Sequence, residues 1–374
     1  MTTATPTRFQ RLVLPGLAFK AAVIGGGYAT GRELAEYFIP SGPQGGALAI
    51  VVAMLAWSAV CALTFVFAQA TRSHDYRSFF ATLLGRWAVV FEFAYLVFMV
   101  LILAVFGAAA GAIGAAVFGW PTLAGTLLLM AGIGVFTAFG SHVVEQLFKW
   151  VSFFLYGVYA LFVAFVLSGF GGQALANFRA PAPMEGWLAG GLTYAGYNIV
   201  GAVIVLPLAR HFRSRRDAVV AGVLAGPLAM LPGLLFFVCM VAWYPAIGAQ
   251  ALPSDYILRQ LDMPVFHLLF QGMIFSALLE SGAAAVHATN ERVAVAWRER
   301  RGVALPHAWR FAIASALLVG SIFIADRFGL VALIARGYRA LAWLFLVVYV
   351  LPLLTVGVWR LRRHAPKPLA AAPY

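Results

Sequence analysis

The sequence predicts an all-α polytopic membrane protein: about ten transmembrane helices, arranged as a 5+5 inverted repeat with discontinuous helices 1 and 6. Three observations predict it. First, the 374-residue chain is 63% hydrophobic and only 10% charged, with a mean hydropathy of +0.90. Soluble domains average roughly 25% charged and 45–50% apolar residues. Second, ten apolar runs of about 20 residues or more suit bilayer crossing. Third, the first run of each half is interrupted at mid-length, the best sequence pointer to a transporter site. A water-soluble enzyme, a disordered chain and a disulfide scaffold are all excluded by this composition.

Taken in order, the runs cover about 12–39, 45–69, 87–117, 122–140, 147–170, 186–209, 218–244, 264–290, 307–325 and 329–358. They form a single membrane domain over residues 1–374, with repeat 1 at about 12–170 and repeat 2 at about 186–358. An odd number of spans per half makes the second half enter from the opposite side, so the repeats are inverted. The first run is too long for a cleavable signal peptide, and it passes into GRELAEYF without a small-residue cleavage pattern. The longest loops, about 171–185, 245–263 and 291–306, are too short to fold independently.

The net charge of +13 has a topological explanation. One set of alternating loops and ends carries 19 of the 26 Lys and Arg residues, the opposite set only three. By the positive-inside rule both short termini are then cytoplasmic. The basic clusters HFRSRR and WRERR follow from topology and contact with anionic lipid, so nucleic acid is not an expected partner. Cys61 and Cys239 both fall within spans, leaving no disulfide framework. No HExxH, GxSxG or CxxC occurs, so the chain lacks the residues of an intramembrane hydrolase or oxidoreductase.

Span 1 is interrupted at Gly25-Gly26-Gly27, and span 6 over Thr193-Tyr194-Ala195-Gly196-Tyr197-Asn198. Unwound backbone is tolerated within a membrane only where it lines a cavity or meets a ligand. The half-helix starting near Tyr28 points its positive end inward, towards an anionic group, and carbonyls near Tyr194 face an ammonium. Tyr28, Tyr194, Tyr197 and Asn198 pair apolar bodies with hydrogen-bonding heads, so with Gly25, Gly26, Gly27 and Gly196 they are the candidate substrate site. Glu280, in span 8, lies at the same depth. A bare carboxylate there costs roughly 2.5–3.5 kcal/mol on insertion scales, so it is expected to be paired, protonated or ion-bound. Lys20 and His287 are its candidate partners. The HxxE of His142 and Glu145 is better explained by exposure than by a metal, and Glu92 by snorkelling to the interface.

The run IGGGYATGRELAEYF (Ile24 to Phe38) and the run LLESGAAAVHATNER (Leu278 to Arg292) resemble the YkvI-type bacterial membrane proteins. These are relatives of the amino acid–polyamine–cation transporter superfamily. The resemblance covers the chain in length, span count and break positions. It implies a leucine-transporter-type fold with a central site between broken spans 1 and 6. It also implies an ion site from Ala277, Glu280 and Ser281, completed by carbonyls near Ala22 and Gly25. Glu280 stands where sodium-coupled members carry a hydroxyl, so Na⁺ and H⁺ both remain open as coupling ion. In this fold the outer halves of spans 1 and 10 flank the vestibule. Glu33 or Glu36 is therefore expected to pair with Arg336 or Arg339 as a gate, with an Arg32–Glu36 helix pair as the competing arrangement. At the inner face, Arg8 or Arg11 with Glu291 is either a second gate or a set of solvated interface charges.

The expected function is secondary active transport of a small solute by alternating access, coupled to Na⁺ or H⁺. The expected solute is an amino acid or a related zwitterion or amine. No other cofactor or metal is expected. The partners are that solute and the lipid bilayer, and the location is a bacterial cytoplasmic (inner) membrane. A membrane sensor on the same scaffold, or an integral membrane enzyme, are the alternatives.

Overall fold

A computed structural model describes residues 6–23, 26–139 and 141–363. Each apolar run is helical there. Spans 2 to 5 are Gly42–Thr71, Ala88–Phe118, Thr122–Phe139 and Ser141–Arg179. Spans 7 to 9 are Arg215–Val241, Pro264–Arg301 and His307–Ala332. Span 10 leaves span 9 at Gly329, whose φ of 70° breaks the helix, and it continues to Arg363. Six helical stretches are long and apolar enough to cross a membrane among the described residues. Spans 1 and 6 are not among them, because each is broken. This is a multi-pass membrane protein.

Span 1 consists of Leu14–Val23, a short turn Gly26–Ala29 and an outer half Arg32–Tyr37. The expected break at the glycine triplet falls on residues that lie outside the described ones, Ile24 and Gly25. A break occurs at Gly31, whose φ of 77° is left-handed and which a side chain would drive into Phe236 and Pro253. The outer half therefore starts at Arg32 and not near Tyr28, which corrects the expected position of its positive end.

In span 6 the helix runs unbroken through the expected break and ends at Asn198. Asn198 Nδ2 donates to the Tyr194 carbonyl at 3.2 Å, a local bond that competes with continued helix. Ala202 and Val203 then bond back only three residues, to Ile199 and Val200. The break thus lies one turn later than the sequence indicated. Span 10 contains π-helical turns at Leu333–Tyr338, Leu346–Val350 and Leu353–Gly357, a geometry that recurs at functional sites.

Spans 2 and 7 approach closely along Ala218, Gly222 and Gly226, spaced one small residue per helical turn. A Cβ on Gly222 would overlap the Ala62 backbone, and one on Gly226 the Met54 carbonyl. Ion pairs then tie the two ends of the bundle. On the basic face Arg11 reaches Asp217 at 3.0 Å, Arg77 reaches Glu299 at 2.7 Å, and Arg310 reaches Glu291 at 2.6 Å. Arg11 is therefore paired across spans 1 and 7, and Glu291 takes Arg310 instead of Arg8 or Arg11. On the opposite face Asp255 accepts Arg259 Nε at 2.7 Å and lies 2.8 Å from His267 Nε2, pinning Pro253–Gln260 onto span 8. Contacts of this kind require the alternation of the loops between two faces.

The basic-face helix Tyr76–Leu84 begins with Asp75 as N-cap, whose carboxylate accepts the Ser78 amide at 2.9 Å. Partial burial pushes the Asp75 carboxyl up, but the Ser78 hydroxyl and amide and the Arg77 charge outweigh it and hold it below its usual value. A depressed folded value means the cap's contribution is complete above the unfolded value of about 3.9 and is lost as pH falls through the folded one. Asp75→Ala removes about 1 kcal/mol of capping. Amides of Tyr76–Leu84 are expected to exchange hydrogen roughly fivefold faster at neutral pH, a difference from wild type that shrinks near pH 3. Equal exchange at neutral pH would contradict the cap.

Candidate functional site

The two breaks and span 8 enclose one cavity of about 370 Å³, within the range of small-molecule sites. Its wall brings together Ala22 from span 1, Tyr197 and Asn198 from span 6, and Ala277, Glu280 and Ser281 from span 8. The span 8 positions share one helical face because they are spaced i, i+3 and i+4. Aromatic side chains from spans 3, 5 and 10 complete it: Tyr95, Phe98, Tyr156 and Tyr338. Ala284, Ala285, Ala288 and Ile204 extend the lining from mid-depth towards the basic face.

Glu280 is half-buried, and no hydrogen bond or ion pair reaches its carboxylate among the described residues. Lys20 is not its partner: the ammonium sits 4.3 Å above the Tyr156 ring. His287 is exposed, outside the cavity. It stands four residues from Glu291 and seven from Glu280 along the helix. The side-chain groups that Glu280 and its neighbour bring to the wall are oxygen: the carboxylate and the Ser281 hydroxyl. In kind this set fits a hard cation such as Na⁺, and the carboxylate alone fits a proton.

Glu33 is part of the cavity and not of an outer gate. It is buried, lines the wall, and accepts a hydrogen bond from the Tyr197 hydroxyl. Tyr197 in turn stacks on Tyr338 with ring centroids 4.3 Å apart. The left-handed turn at Gly31 orients this half-helix so that Glu33 meets span 6. Glu36 instead pairs with Arg32 at 2.5 Å, the local i, i+4 alternative. Arg32 also donates to the carbonyls of Gly248 and Gln250, both at 2.9 Å. Arg336 and Arg339 are exposed, and among the described residues neither pairs with Glu33 or Glu36. The outer half of span 1 contacts span 10 through Tyr37, whose hydroxyl donates to the Ile334 carbonyl at 2.6 Å. Spans 1, 6 and 10 together close the cavity on the side away from the basic face.

Three further expected residues lie elsewhere. Gly196 packs on Ala342 and lines a separate apolar groove between spans 2, 6 and 10; a single helical step from Tyr197 turns it to the other side. Tyr194 is enclosed by Phe38, Trp57 and Tyr197. Tyr28 is buried against Gly233 of span 7. The side chains of His142 and Glu145 lie outside the described residues, and of the glycine triplet only the backbone at Gly26 and Gly27 is described.

Sequence reasoning missed Tyr95, Phe98, Tyr156 and Tyr338 as walls, since nothing distinguishes a cavity aromatic from a lipid-facing one in a chain that is 14% aromatic. Another missed element lies behind the wall. The Arg292 guanidinium is held between the rings of Tyr76 and Tyr95, at 3.6 and 3.3 Å, with Glu92 at 3.9 Å. Glu92 thus belongs to this basic-face cluster.

No protein-family model matches the chain, and no curated protein matches it. Solved structures do. The chain is similar to MhsT in a crystal structure in complex with L-phenylalanine, with a TM-score of 0.59 at 15% identity over 95% of this chain and 90% of that one. It is also similar to an inward-facing conformation of Mhp1, with a TM-score of 0.52 at 16% identity over 94% of this chain and 80% of that one. A closed conformation of Mhp1 with bromovinylhydantoin bound, described as a nucleobase-cation-symport-1 family transporter, gives 0.53 at 15% identity, covering 97% and 82%. The likeness shows the fold: the leucine-transporter-type arrangement of broken spans 1 and 6.

Proposed function

We propose that this protein is a secondary transporter which moves a small amine-bearing solute, an amino acid or a related zwitterion or amine, by alternating access. Coupling is to Na⁺ or H⁺ at Glu280 and Ser281. The observation that carries this reading is the single cavity where both helix breaks, Glu280 and the Tyr197–Asn198 pair converge. Its lining runs towards the basic face, while Tyr37, Tyr197 and Tyr338 pack across the other side. That asymmetry is what one half-cycle of alternating access needs. The short loops argue against a sensor, and the carboxylates that line the cavity, Glu33 and Glu280, lie within the bundle and not at an interface where an enzyme would act.

The glycine-rich first span supports placing the chain with the YkvI-type proteins. The charge asymmetry supports a bacterial inner membrane with both termini in the cytoplasm. Thermal stability of the purified protein, screened against amino acids and amines in Na⁺ and in K⁺ buffers, tests the reading. A solute at 100 times its Kd adds roughly 2.7 kcal/mol. Stabilisation confined to Na⁺ assigns sodium coupling, and stabilisation in both buffers assigns proton coupling. No stabilisation by any solute would overturn the site.

A further inference from the structure

The cavity is electrically one-sided. Among the described residues of its lining, the two that carry formal charge are Glu33 and Glu280, and none is Arg, Lys or His. Two cations lie against rings of the wall: Lys20 over Tyr156 and Arg292 against Tyr95. Neither lines the cavity. A solute carboxylate bound here would meet two like charges in a low-dielectric site. The donors on the wall are neutral, among them the hydroxyl residues Tyr95, Tyr156, Tyr338 and Ser281. Tyr197 donates to Glu33, and Asn198 Nδ2 donates to the Tyr194 carbonyl. An ammonium meets the opposite situation, with the carboxylate oxygens of Glu33 and Glu280 to accept its hydrogens.

Resting on the reading of this cavity as the solute site, we propose that it selects a small organic ammonium ion carrying no carboxylate. Glu33 is the group that accepts the ammonium. Glu33 suits recognition because it is held in place: it is buried, and its carboxylate is fixed by Tyr197, which is itself stacked on Tyr338. Glu280 sits instead among Ala277, Ser281 and Ala284, where small side chains leave room for an ion. An ammonium on Glu33 also joins spans 1, 6 and 10 at the closed side of the cavity, so binding and closure act on the same contacts.

Titration calorimetry on the full-length purified protein tests this with probes matched in shape. These are 2-phenylethylamine against L-phenylalanine and 3-phenylpropionate, and 3-methylbutylamine against L-leucine. Each amine that binds is expected to bind at least tenfold more tightly than its amino acid, and 3-phenylpropionate is expected not to bind. Glu33→Gln is expected to weaken the amine at least tenfold, with Glu33→Asp retaining part of the affinity. The amide keeps an acceptor for Tyr197, so the variant holds that contact, and the wild-type comparison does not depend on it. An amino acid matching or exceeding its amine overturns the proposal. So does an amine unaffected by Glu33→Gln, or no binding of either amine at 10 mM. An amine that binds but is never moved across a proteoliposome membrane defeats the transport reading and leaves this selectivity standing. An amino acid that binds more tightly and is moved does the reverse.

Discussion

Glu280→Gln abolishes gradient-driven solute uptake into proteoliposomes while the purified protein remains folded. The folding half of this expectation follows from the surroundings. Among the described residues nothing bonds to the Glu280 carboxylate, so the amide leaves no partner orphaned, and the two side chains have nearly the same volume. Removing the charge also removes a desolvation cost of roughly 2.5–3.5 kcal/mol on insertion scales, so stability is expected to hold or rise. The transport half follows from chemistry. An amide cannot carry a proton at physiological pH, and as a neutral ligand it binds Na⁺ far more weakly than a carboxylate does. Uptake is therefore expected to fall at least about a hundredfold, with its dependence on Na⁺ or pH lost together. Wild-type uptake by the Gln variant would remove Glu280 from the mechanism.

Gly222→Val prevents folding or lowers Tm by more than any other single change considered. The overlap that a Cβ would make is with the Ala62 backbone, with the Cys61 carbonyl carbon also only 2.8 Å away. No rotamer relieves it, so spans 2 and 7 must separate. Overpacking against movable side chains costs about 1–3 kcal/mol, and displacing a backbone costs more. The change also disrupts Gly226, one turn on, which sits against the Met54 carbonyl and Ser58. Gly272→Ala is the contrasting case, because nothing lies within 4 Å of its added Cβ. Alanine there gains helix propensity of about 0.8–1 kcal/mol and is expected to raise Tm slightly. Similar thermal stability for the two variants would show that spans 2 and 7 do not pack as described.

The spans were legible because lipid imposes one rule on every helix, a long apolar run. Within the site, Tyr197, Asn198 and Glu280 were legible from their depth in the membrane, and Ala22, Ala277 and Ser281 only through what the family resemblance implies. What depth cannot give is rotation about a helix axis. Gly196 and Tyr197 are adjacent in sequence yet serve a lipid-facing groove and the cavity. Glu33 reads as a gate residue until the left-handed turn at Gly31 is known to re-aim its half-helix. Long-range ion pairs were illegible for a related reason. Arg11 finds Asp217 and not Glu291 because span 7 packs against span 1, a fact that charge counting along one chain does not contain.

The most direct test of the central claim is tracer counterflow. Proteoliposomes loaded with an unlabelled solute identified by thermal stabilisation are diluted into a trace of the same labelled solute, with no ion gradient imposed. A carrier whose one cavity opens alternately to the two sides accumulates label transiently above equilibrium, and it does so only with internal solute present. That overshoot is the predicted result, and it is predicted to disappear in Glu33→Gln. A solute that binds and stabilises the protein but gives no overshoot in wild type would contradict alternating access and leave a membrane protein that binds its solute without moving it.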